Sequence, residues 1–221
     1  MSIEGAEVKH ASFAEAVKNA SIGLFLSEKT ADGLTADEEL TQETDLVFEG
    51  KPYSLRYTIT KPDGVIGQAR ISLVDPTQSE ASTIIPPSST GLERHLRPHE
   101  LATRVFDIKD GIIDTRITSV STTRYGFEGQ GFSIALGLLS NDIILDLISK
   151  RFQKELNGKR VYARIIDFAA PAKGKNWYSL LRPSVKRRGW SGWIAEKLGY
   201  TKEPHVRGLP PAYTRVYQEA S

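Results

Sequence analysis

Arg124-Tyr125-Gly126-Phe127-Glu128-Gly129-Gln130-Gly131-Phe132 joins two kinds of sequence. Before it, Ile112 to Thr123 is rich in Ile, Val and Thr, which favour a pleated, half-buried strand. After it, Ile134, Leu138, Leu139, Ile143, Ile144, Leu145 and Ile148 recur near the spacing of a helix face. A strand, three glycines and a helix start make a physical device. Free backbone N–H groups and the positive end of the helix dipole converge on one spot, and glycine lets a phosphate come close.

Upstream, the spacing predicts strands at Tyr53 to Thr60 and Val65 to Val74, joined through Lys61-Pro62-Asp63-Gly64. Proline presets φ there and glycine accepts a positive φ, so a hairpin is expected. Asp110-Gly111 marks a second hairpin, between Arg104 to Ile108 and Ile112 to Thr123. A Pro/Ser/Thr-rich loop, Asp75 to Pro98, separates the two. Phe13 to Leu26 reads as a helix, and Thr30 to Asp45 as an acidic loop.

Downstream, a helix is expected from Phe132 to about Leu156, with Ser140-Asn141-Asp142 able to divide it and Gly158 ending it. Arg160 to Phe168 reads as a buried strand and Asn176 to Lys186 as partly helical. Gly192 to Leu198 reads as a short helix closed by Gly199, and Tyr213 to Tyr217 as a last strand. The expected fold class is α/β (α+β), with a mixed, mostly antiparallel central sheet flanked by helices. Residues 1–50 form an acidic N-terminal arm packed on a domain spanning 51–221.

At 221 residues the chain can bury a core without a metal or disulfide staple. It has no cysteine, which removes thiol nucleophiles and thiolate metal sites together. The charged N-terminus lacks a signal-peptide apolar region, and no apolar run is long enough for a membrane helix. A cytoplasmic address without a membrane partner is the expectation. Net charge is +2, yet residues 1–50 are acidic and residues 150–221 basic, a polarity that suits an anionic ligand. His95 and His99 flank Pro98, which disrupts a helix that would align them, and no third ligand is evident.

Two phosphate-binding patterns are set aside. A P-loop needs a lysine after its last glycine, and none follows Gly131. The dinucleotide fingerprint needs the reverse glycine order and opens a βαβ unit, not a meander. The stretch instead resembles motif A of the GNAT superfamily, the acyl-CoA-dependent N-acyltransferases, written Gln/Arg-x-x-Gly-x-Gly/Ala. The resemblance covers about Tyr53 to Tyr200, ending with Leu198-Gly199-Tyr200 in the place of that family's Gly-aromatic entry to a strand. Gly126 stands where the family usually has Gln or Arg, and Arg124 lies two residues before it.

The resemblance implies an N-acyltransferase that moves an acetyl or other acyl group from coenzyme A to an amine by direct attack. It implies acetyl-CoA or another acyl-CoA as the donor, held by Arg124, Tyr125, Gly126, Phe127, Glu128, Gly129, Gln130, Gly131, Phe132 and Ser133. A backbone N–H of Val120 or Ser121 would polarise the thioester carbonyl where that strand splays from its neighbour. Asp114 takes the place of the carboxylate that deprotonates the amine; a solvated residue just past the Asp110-Gly111 turn is the plain alternative. Tyr178 takes the place of the acid that protonates the thiolate, with packing beside Trp177 as its alternative.

The acceptor is a small-molecule or peptide amine, and a homodimer is left open. A rival reading makes the chain a nucleic-acid-binding module, because Lys173, Lys175, Arg182, Lys186, Arg187 and Arg188 interleave with Trp177, Tyr178, Trp190 and Trp193. No recognised nucleic-acid motif accompanies that segment. A third reading is an acyl-CoA-binding protein of the same fold that has lost its chemistry.

Overall fold

Tight turns set the sheet. In the computed structural model, Asp110 and Gly111 have φ of 44° and 85°, Glu49 and Gly50 have 51° and 75°, and Gly64 has 75°. Paired positive φ values give the turn a twist that matches the strands it joins. The structure describes residues 3–77, 96–97, 99–120, 132–166, 190–204, 206 and 209–220.

The elements are α1 (Ile3–Phe25), β1 (Glu39–Phe48), β2 (Lys51–Thr60), β3 (Gly67–Val74), β4 (Glu100–Lys109) and β5 (Ile112–Val120). After them come α2 (Phe132–Leu138), α3 (Ser140–Asp146), a π-helical turn (Leu147–Arg151) and α4 (Gln153–Leu156). The chain closes with β6 (Val161–Ile166), α5 (Trp190–Lys197), β7 (Thr201–Lys202) and β8 (Ala212–Gln218). All eight strands form one sheet in the order β1-β2-β3-β4-β5-β6-β8-β7. Every pairing is antiparallel except β5 with β6. The protein is thus a mixed α+β fold built on a mostly antiparallel sheet.

The second half of the segment expected as an acidic loop, Thr30 to Asp45, is strand. Its residues alternate weakly in polarity, and β1 is held instead by full-length pairing with β2 through the Glu49-Gly50 turn. β1 is also the edge that α1 packs on, with Phe13 edge-on to Phe48 at 4.8 Å between ring centres. Residue 50 therefore falls inside a hairpin of the sheet.

Ser140 does not break the helical path. Leu139 keeps right-handed helical angles, its N–H bonds to Ala135 O, and Ile143 N–H bonds back to it. The Ser140 hydroxyl is spent on the Leu136 carbonyl at 3.3 Å, four residues back, so it offers no cap. The break comes at Phe152, where φ is −125° and ψ is 31°.

The two faces of the sheet differ in kind. One carries Tyr53, Leu55, Tyr57 and Ile59 from β2, Ala69, Ile71 and Leu73 from β3, and Phe106 and Ile108 from β4, all buried. α1, α2 and the helical path after α2 close over this face. Phe25 meets Tyr57 edge-on, and the Phe152 ring fills the space left by Gly67, where an added Cβ would lie 2.2 Å from the ring. The opposite face is polar, and several of its groups are buried as well: Ser54, Thr58, Ser72, Glu100, Thr103 and Asp107.

Candidate functional site

β5 and β6 form the parallel pair of the sheet. Its register runs from Ile112 opposite Tyr162 to Thr115 opposite Ile165 and then stops. Ile166 is still strand and pairs on its other side with Ala212, but has no partner on β5. β5 itself continues to Val120, paired on its β4 side as far as Ala102. Among the described residues, the β6 side of β5 from Arg116 onward has no strand partner. Backbone N–H and C=O groups in such a position need another partner or a ligand.

A bulge follows the paired stretch. Thr115 pairs with Phe106 and Ile117 with Val105, so Arg116 is the extra residue. A bulge sharpens twist and re-aims the strand beyond it. After it, Thr118 stands opposite Arg104 and Val120 opposite Ala102.

Asp114 lies just before the bulge, half-buried, on the polar face. It is not a solvated turn residue. Its cross-strand neighbours are Asp107 on β4 and Arg164 on β6. These belong to a row that crosses the whole sheet: Glu39, Thr60, Gln68, Asp107, Asp114, Arg164, Thr214 and Thr201. Every member is polar. Gln68 Nε2 donates to Asp107 Oδ1 at 2.8 Å, and Arg164 Nε lies 3.5 Å from Glu203 Oε1, close enough for an ion pair but outside hydrogen-bond geometry. One strand direction further on, Arg70 makes a two-pronged ion pair with Glu100, and Ser72 donates to the same carboxylate at 2.6 Å.

The helix-covered face carries a different group on β4. Arg104 is 2% exposed, among Phe106, Ala102 and Ile71 in the sheet. Its guanidinium carbon stands 6.0 Å from the Phe106 ring centre, and its Nε has no hydrogen-bond partner. No carboxylate is paired with it among the described residues. Burial pulls its pKa down to about 10, opposed by the nearby Tyr200 phenol. It stays a cation at neutral pH.

Tyr200 approaches the same guanidinium. It follows the end of α5, where Tyr200 N–H bonds to Ala195 O and Gly199 turns the chain at φ 79°. The Tyr217 hydroxyl donates to Asn141 Oδ1 at 2.8 Å and lies 3.3 Å from the Tyr200 hydroxyl. Since each phenol has one proton, Tyr200 donates to Tyr217 and keeps its lone pairs free to face Arg104. Burial, then the Tyr217 neighbour, raises the Tyr200 pKa, and burial also raises that of Tyr217. Both phenols are neutral. Arg215 steadies the pair, donating to Leu198 O and stacking 5.2 Å from the Tyr217 ring centre.

Of the residues singled out from the sequence, the structure describes Asp114, and Val120, Phe132 and Ser133 by backbone. Val120 ends β5 and Phe132 begins α2, so the glycine stretch bridges these two elements. Ser121, Arg124, Tyr125, Gly126, Phe127, Glu128, Gly129, Gln130, Gly131 and Tyr178 lie outside the described residues, as does most of the basic aromatic segment 173–193. Arg104 and Asp107 were not among the sequence candidates. Their signal was the two-residue alternation of β4, which puts Arg104 in step with Ala102, Phe106 and Ile108. Among the described residues, no cluster of three or more His, Asp or Glu is placed to hold a metal, and no helix is long and apolar enough to cross a membrane. No protein-family model matches the chain, and no curated protein or solved structure matches it either.

Proposed function

We propose that this chain is an acyl-CoA-dependent N-acyltransferase of GNAT-like fold, moving an acetyl or other acyl group from coenzyme A to an amine. The observation that carries the proposal is the parallel β5–β6 pair and the turn that leads out of β5. β5 pairs in parallel with β6 from Ile112 to Thr115, a bulge follows at Arg116, and the glycine-rich stretch lies between β5 and α2. Its place in the sheet also agrees with the resemblance: an antiparallel meander, then a crossover through helices to a parallel neighbour, then an antiparallel pair closing the edge.

In this reading residues 124–131, with Phe132 and Ser133 at the helix start, would hold the donor's pyrophosphate. A backbone N–H near Val120 or Ser121 hydrogen-bonds the thioester oxygen, stabilising the charge that develops there. The amine approaches over the polar face, where Asp107 and Asp114 present adjacent carboxylates that attract a cation. Asp114 takes the amine's proton, nitrogen attacks the carbonyl carbon, and the carbon–sulfur bond breaks. Tyr178 returns a proton to the departing thiolate.

The test is calorimetric titration of the purified protein with acetyl-CoA, beside a short oligonucleotide. Saturable binding of acetyl-CoA supports the reading; a salt-sensitive response to the oligonucleotide alone would transfer it to the basic segment 173–193. Gly129→Val should abolish acetyl-CoA binding by blocking close backbone approach. Asp114→Asn should lower turnover by roughly a hundredfold or more while leaving that binding nearly intact. A third outcome, binding without turnover on any amine, would leave an acyl-CoA-binding protein without chemistry.

A further inference from the structure

We draw no further inference here: the strongest candidate, the outer edge of β1 with its exposed Val47, carries none, because Glu39 and Glu43 are already paired with Arg97 and Arg56 and nothing in the structure shows what covers it.

Discussion

Arg151 and Arg104 are both withdrawn from solvent on the helix-covered side of the same sheet, and they live under opposite terms. Arg151 ends the π-helical turn and ties three parts of the chain together: Asp146 on its own helical path, the Leu24 carbonyl at the end of α1 with the Lys29 carbonyl just past it, and Gln42 on β1. Its guanidinium also stands 5.7 Å from the Tyr57 ring centre. Arg104, in mid-sheet on β4, has Phe106 and Tyr200 and no charge partner among the described residues. Such a contrast teaches what a partner does for a buried charge. A satisfied buried charge acts as a clamp, whereas one without an opposite charge bears its desolvation cost.

The widest break in the comparison comes from truncating the clamp. Arg151→Met should cost about 3–5 kcal/mol, because it strands the Asp146 carboxylate and several carbonyls out of water. Denaturant unfolding measures this, and a loss below about 1 kcal/mol would show that the hub is not what joins α1 to the helical path. The same substitution at Arg104 should go the other way, leaving stability unchanged or raising it by roughly 1 kcal/mol, since only an uncompensated charge is removed. Opposite signs from one chemical change would sharpen the comparison more than either value alone.

Alkaline pH separates the two effects further. Burial lowers the folded pKa of Arg104 to about 10, below the value of an unperturbed guanidinium. Between those values the unfolded chain holds more protons, so wild-type stability gains from this group as pH rises. Below about pH 10 both states are charged and the penalty is constant. The Arg104→Met advantage should therefore be flat from roughly pH 6 to 9 and shrink above about 10. Melting both proteins across that range checks it; an advantage that grows with pH would refute the assignment.

The smallest effect concerns Tyr217→Phe, which removes the hydroxyl between Tyr200 and Asn141 and should cost about 1 kcal/mol. It also frees the Tyr200 proton. Amide exchange along α3 and β8 would show whether the loss is local or spreads to β4.

Much of the framework was legible in residue order. Pro62-Asp63-Gly64 and Asp110-Gly111 announced two hairpins because φ preferences act within a few residues. The helical run after Phe132 and the closing Gly199 were legible for the same reason. β1 escaped notice because its edge position lets alternate residues stay half-exposed, which blurs the two-residue pattern. Asp114 was found as a residue, but its neighbours were not. Asp107 stands just across the Asp110-Gly111 turn but depends on its register, whereas Arg164 reaches Asp114 through strand pairing across a helical crossover.

By itself the sequence determined the local geometry: which peptides turn, which run extended, and where glycines clear the backbone between a strand and a helix. Those outcomes depend on φ/ψ sterics and short-range hydrogen bonds, which neighbours in the chain settle. Tertiary structure alone decided that β5 and β6 run parallel with a bulge at Arg116, and that Arg104 faces the helix-covered side with no carboxylate partner among the described residues. Register and burial are agreements between distant segments, so the cost of a buried charge appears only when the sheet has formed.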